Sequence, residues 1–206
     1  MSRRNFIGML ILFLAMNGMA GFCLAAADGP LSQVKSTVEH IISILQDESL
    51  QADSQKDKKR LLIFDEVEKR FNFDLMAKLS LGNVWERLGE KQQQEFAQLF
   101  SELLKSTYIH RVEGYSGEKV LYGKELIRDN LAQVSSIFAK SNSQMSIVYK
   151  LRKENGEQWL VYDVIIEGAS LIKQYRRQFS QILDHEEFKD LIIRLEDKMK
   201  TINSKS

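Results

Sequence analysis

The sequence predicts an α+β fold, a curved antiparallel four-stranded sheet packed with several helices. Apolar residues recur at helical spacing as far as Val112, alternate with a period near two between residues 115 and 166, and return to helical spacing from Leu171 to Ile202. Helices, then strands in succession, then helices again is not the alternation of a parallel βαβ fold. The last strand, WLVYDVII at 159–166, is apolar on both faces and so expects cover on both.

The chain opens with Arg3 and Arg4, a largely apolar run from Phe6 to Leu24, and Ala25-Ala26-Ala27 before the first acidic residue, Asp28. This is the pattern of a secretory signal peptide with an A-x-A site, so cleavage is expected after Ala27, leaving one domain over 28–206. A retained membrane anchor is the alternative, opposed by Asn17 and by the glycines and alanines that interrupt the second half of the run. Ser2-Arg3-Arg4-Asn5-Phe6-Ile7 also fits a twin-arginine signal, so both export routes stay open. Phe22 is too bulky before Cys23 for lipoprotein cleavage. Without Cys23 the exported chain has no cysteine, and it must fold without a disulfide or a thiolate metal site. A domain of that size buries roughly 70% of its unfolded surface, enough to enclose a sizeable cavity. Loss of Arg3 and Arg4 leaves 27 basic against 28 acidic residues, a balance that points away from nucleic acid.

Leu31, Val34, Val38, Ile41, Ile42 and Leu45 predict a first helix with one buried stripe. Residues 46–59 are polar and read as a surface connection. Ser54 with Asp57 resembles a capping box, opening a second helix through Leu61, Leu62, Phe64, Asp65, Val67 and Phe71. A short helix from Phe73 to Leu81 stops at Gly82, with Trp85 and Leu88 in the next turn. Gly89 then opens the longest helix, whose wide stripe runs from Phe96 to Val112 and which ends at Gly114. Strands are expected at 115–122, 125–139, 144–153 and 157–166, with Asn155-Gly156 as a hairpin turn. After Gly168, Leu171, Ile172, Tyr175, Phe179, Ile182 and Leu183 share one helical stripe, and a last helix covers 186–202.

The segment W-x-V-Y-D-V-x-I-E-G-x-S-L at 159–171, followed by Y-R-x-Q-F at 175–179, closely resembles the signature of the MlaC family, also called toluene-tolerance proteins. The resemblance extends through FNFDLMAKLSLGNVWERL at 71–88, the helical run to Tyr108, and YKLRKENGEQWLVYDV at 149–164. It implies a cone-like architecture akin to the nuclear-transport-factor-like fold with added helices. It also implies a periplasmic phospholipid-binding protein that shuttles glycerophospholipid between an outer-membrane lipoprotein complex and an inner-membrane ABC transporter with an MCE-domain subunit. A monomer is expected, with no cofactor and with phospholipid as cargo.

The expected pocket lies between the long helix and the sheet. Its lining is drawn from Phe100, Leu104 and Tyr108, from Ile147, Tyr149, Trp159 and Val161, and from Leu171, Tyr175 and Phe179. Ordinary core packing accounts for any one of these; the resemblance makes the set a lipid wall. Met76 and Met145 suit an adaptable lining as well as simple gap filling. Lys173, Arg176, Arg177 and Arg111 are candidates to meet a phosphate at the mouth, Arg176 first because it falls in the Y-R match, with a solvated helix face as the alternative. Asp163, the one acid in an apolar strand, needs partners, and a structural salt bridge or hydrogen-bond network is expected there, with an arginine of the final helices as one candidate member, rather than catalysis. Two other functions compete: an enzyme working in the cavity, and an adaptor with a solid core. An enzyme needs a positioned His, Asp or Glu. His40, His110 and His185 are dispersed, and no Ser-His-Asp pattern, metal-ligand spacing or glycine-rich phosphate loop occurs.

Overall fold

A computed structural model describes residues 29–154 and 158–204; the expected signal peptide, with Arg3, Arg4 and Cys23, and the Asn155-Gly156 turn lie outside them. Helix α1 (Pro30–Gln46) starts on a proline, whose missing N–H costs nothing in a first turn, and buries Val34, Thr37 and Ile44. The polar connection that follows coils into two 3-10 turns, 48–50 and 53–55, and buries Leu50 against Ile44, Ile63 and Ile109. Helix α2 (Lys56–Glu68) opens without a side-chain cap, since Ser54 is taken up in the preceding 3-10 turn and no capping box forms. The inward residue of α2 is Ile63, whereas Leu61 and Leu62 face solvent. Helix α3 (Phe73–Leu81) is capped by Asn72, whose Oδ1 accepts from Leu75 N at 2.8 Å, and it stops at Gly82, where φ is +58°. A 3-10 segment at 82–87 leads to the long helix α4 (Glu90–Glu113).

Five strands follow in the order β1-β2-β3-β4-β5, every neighbouring pair antiparallel. They are β1 (Lys119–Arg128), β2 (Leu131–Lys140), β3 (Ser143–Lys153), β4 (Trp159–Ile166) and β5 (Ala169–Ser170). The expected break between 122 and 125 is a bulge inside β1 rather than a turn, because Gly123 lets β2 approach so closely that a Cβ there would collide with Ser135 Oγ. The chain reverses instead at Asp129-Asn130, with Asp129 at φ +53°. The fifth strand, absent from the four expected, arises because Glu167 and Gly168 both adopt positive φ, +49° and +79°, and fold the chain back on Ile165 and Ile166.

A second bulge decides which way β4 faces. Lys150 pairs with Asp163 but Leu151 pairs with Val161, so Tyr162 has no partner and the alternation changes phase there. Trp159 and Val161 share the inner face with Val164 and Ile166, and Asp163 points the other way. Its carboxylate accepts from Ser170 Oγ at 2.7 Å and from Ile172 N at 3.2 Å, with Lys150 Nζ 3.9 Å away. Ser170 Oγ in turn accepts from Lys173 N at 3.1 Å and caps α5 (Leu171–Leu183). No arginine takes part: the helix N-terminus, a hydroxyl and a lysine supply what the acid needs. The free edge of β4 is shared between β5 and Phe71, where Val161 N donates to Arg70 O and Asn72 N donates to Val161 O, both at 2.8 Å.

Helix α6 (Phe188–Asn203) completes a packed core with α3, α4 and α5. Its centre is aromatic. Phe100 lies 5.1 Å from Tyr175, 5.7 Å from Phe96 and 5.8 Å from Phe179, edge-on to Tyr175 and Phe179. Replacement of Asp163 by Ala strips two buried donors of their acceptor and is expected to cost about 2–3 kcal/mol. Urea unfolding measures it; a midpoint unchanged from the wild type would contradict the role assigned to this carboxylate.

Candidate functional site

A cavity of about 530 Å³ lies beside that core rather than within it. The inner face of the sheet forms one wall, with Tyr149, Leu151, Trp159, Val161, Val164 and Ile166. Helix α1 contributes Val38, Ile41 and Leu45, α2 contributes Ile63, Phe64 and Val67, and the second half of α4 contributes Leu104 and Tyr108. Polar groups on this surface are mostly occupied elsewhere. Thr37 Oγ1 donates to Gln33 O at 2.9 Å, and Gln33 Oε1 accepts from Trp159 N at 3.2 Å. Burial pushes the Tyr149 phenol up to about 12, and it raises Tyr108 as well, so both rings face the chamber uncharged. A chamber so lined holds water poorly and apolar chains well.

Of the residues expected from the sequence, Leu104, Tyr108, Ile147, Tyr149, Trp159, Val161 and Leu171 line this cavity. Phe100, Tyr175 and Phe179 do not. They sit on the opposite side of their helices, locked in the aromatic cluster, where burial pushes the Tyr175 phenol up to about 12. Arg176 is exposed on α5 beside Gly82, and with Lys173 and Arg177 it borders a separate shallow polar groove, so none of these three stands at the cavity. Arg111 does line it, as do Met76 and Met145. Two groups were missed by reading the strand and the long helix alone. Val164 and Ile166 join the wall only because of the Tyr162 bulge, and the stripes of α1 and α2 read as ordinary core from their spacing alone. The α1 stripe was visible in the spacing; what it faces was not.

Helix α2 covers the cavity while burying one residue fully, Ile63, and its flanks are tied by charge. Arg60 holds Glu113 of α4 through Nε and Nη2 at 2.6 and 2.9 Å, Lys105 Nζ meets Glu68 at 2.5 Å, and His40 Nδ1 of α1 meets Glu66 at 3.0 Å. The Arg60 fork holds the Glu113 carboxyl below its ordinary value of 4.5, with burial opposing. A depressed carboxylate stabilises the fold above the unfolded value and loses that contribution as pH falls through the folded one.

The fold and the chamber together define an α+β protein built to enclose an apolar guest. Residues 35–197 match the model of the MlaC protein family, and the chain belongs to that family. It is 22% identical over 176 residues to the intermembrane phospholipid transport system binding protein MlaC of Haemophilus influenzae, spanning 83% of this chain and 82% of that one. A phospholipid-binding protein of Ralstonia solanacearum, solved in complex with a phospholipid, shares the fold with a TM-score of 0.76 and 23% identity, over 85% of this chain and 99% of that chain.

Glu113→Gln breaks the charged fork between α2 and α4 and should cost about 1–2 kcal/mol at neutral pH. The difference from the wild type should begin to shrink as pH falls below about 4.5, the unfolded value, and vanish below the lower folded one, where both chains lack the charge. Urea titrations at several pH values measure it, and a difference independent of pH would remove the electrostatic account.

Proposed function

We propose that this protein is a periplasmic carrier that holds a glycerophospholipid by its acyl chains. In this reading the chain loses residues 1–27 on export, acts as a monomer, needs no cofactor and catalyses no reaction. It exchanges lipid between an outer-membrane lipoprotein complex and an inner-membrane ABC transporter with an MCE-domain subunit. The observation that carries the reading is the chamber itself: apolar walls from three helices and a sheet, with Thr37 and Gln33 bonded away from it. Family membership supports it, as does the phospholipid bound by the Ralstonia solanacearum protein of the same fold.

The energetics favour a carrier that works by contact. At about 0.8 kcal/mol per buried CH₂, two acyl chains represent on the order of 20 kcal/mol of burial, so release into water is too slow to serve transport. A carrier must match bilayer burial with chamber burial and hand its guest directly to a membrane complex. The enzyme alternative finds little support, because neither His40 nor His110 lines the chamber, and the acid that does line it, Glu118, accepts hydrogen bonds from Ser116 N and Oγ. A solid-core adaptor would have filled this space.

Organic extraction of gently purified protein followed by lipid mass spectrometry should recover diacyl phospholipid in near-stoichiometric amount. Val67→Trp, at a half-buried position on the chamber wall, should lower the recovered lipid severalfold with little change in melting temperature. Absence of lipid in the wild type, together with failure to take it up from vesicles, would sink the proposal.

A further inference from the structure

The chamber meets solvent at one end. Among its described lining residues, the exposed ones are Arg111, Gly114, Ser143, Gln144 and Met145, all gathered where α4 ends and the β2–β3 hairpin turns. Every other lining residue is buried or half-buried. Along α4 the cavity-facing stripe runs Leu104, Tyr108, Arg111, so apolar lining gives way to a guanidinium at the rim.

Three cationic side chains line the chamber, Arg70, Lys105 and Arg111, and they are not equivalent. Lys105 is paired with Glu68 and lies over the Phe64 ring. Arg70 is half-buried beside Phe71, away from the exposed end. The Arg111 guanidinium lies 5.7 Å from the centroid of the Tyr108 ring, an arrangement that holds the side chain over the chamber wall. No ion pair joins Arg111 to a carboxylate among the described residues. Glu118, the acid that lines the same end, is taken up by Ser116 N and Oγ, both at 2.8 Å. Arg111 also lies in the last turn of α4, where a cation offsets the helix dipole, but that role needs no position on the cavity stripe.

We propose that Arg111 is the anchor for the phosphate ester of the bound lipid, so that the guest sits with its acyl chains towards Trp159 and Leu171 and its phosphate at the α4 rim. The inference rests on the carrier reading and adds to it the rim residue that distinguishes a phosphorylated from an unphosphorylated lipid. A guanidinium fork bonds two phosphate oxygens at once, whereas the headgroup beyond the phosphate extends into solvent and is left unselected.

The test compares uptake by the purified protein from vesicles containing either phosphatidylglycerol or diacylglycerol with the same acyl chains. The wild type should favour the phospholipid by about tenfold relative to the Arg111→Gln variant, which should take up diacylglycerol as well as the wild type does. Arg111→Lys should recover part of the preference, as a point charge without the fork. Excess inorganic phosphate should leave retention unchanged, because the chains supply most of the affinity; competition would mean a site for free phosphate and would overturn the assignment. A glutamine variant that keeps the full preference refutes the anchor while leaving the carrier intact. A wild type that takes up neither lipid refutes both.

Discussion

The buried carboxylate of Asp163 fixes the geometry on which the chamber depends. A carboxylate in an apolar strand is costly unless its oxygens are bonded, and here the bonds come from Ser170 Oγ and the Ile172 amide. That requirement ties the start of α5 to the middle of β4 and turns the intervening Glu167-Gly168 reversal into a tight two-residue link. Leu171 is thereby brought to the cavity wall while Ile172, its neighbour, enters the helical core. The bulge at Tyr162 completes the arrangement, since without the change of phase Asp163 would share the inner face with Trp159 and Val161.

The molecule thus keeps rigidity and capacity apart. Phe96, Phe100, Tyr175, Phe179 and Phe188 interlock among α4, α5 and α6, with ring centroids 5.1–6.0 Å apart. On the other side, the same α4 offers Leu104 and Tyr108 to a chamber roofed by α1 and α2. Helix α2 is held over the chamber by the buried Ile63, the half-buried Phe64 and Val67, and the Arg60–Glu113, Lys105–Glu68 and His40–Glu66 contacts along its flanks. A closed core next to a loosely fastened cover suits a protein that must retain an apolar guest and also release it.

Much of this was legible in the chain. The helical stripes from Leu31 to Leu45 and from Phe96 to Val112 report the faces they bury, and Gly89 and Gly114 bracket the long helix because the spacing stops there. What was not legible depends on a single residue more or less. An alternation carried unbroken through 159–166 puts Asp163 beside Val161; one unpaired Tyr162 reverses that and brings Val164 and Ile166 to the cavity instead. Likewise Gly123-Lys124 looks like a turn and is a bulge, because the reversal signal at Asp129-Asn130 is stronger. The aromatic residues Phe100, Tyr175 and Phe179 have the composition of a lipid wall, yet a helix has two apolar flanks here, and spacing does not say which flank meets packed neighbours and which meets space.

The central claim, that acyl chains occupy the space between α1, α2 and the sheet, is tested most directly by loading the protein with a phospholipid carrying a photoreactive group near the end of an acyl chain and mapping the crosslinks by mass spectrometry. The account predicts adducts on chamber residues such as Ile41, Val67, Val161 and Val164. Adducts concentrated on Phe100, Tyr175 and Phe179, or scattered over the exposed face of α5, would contradict it.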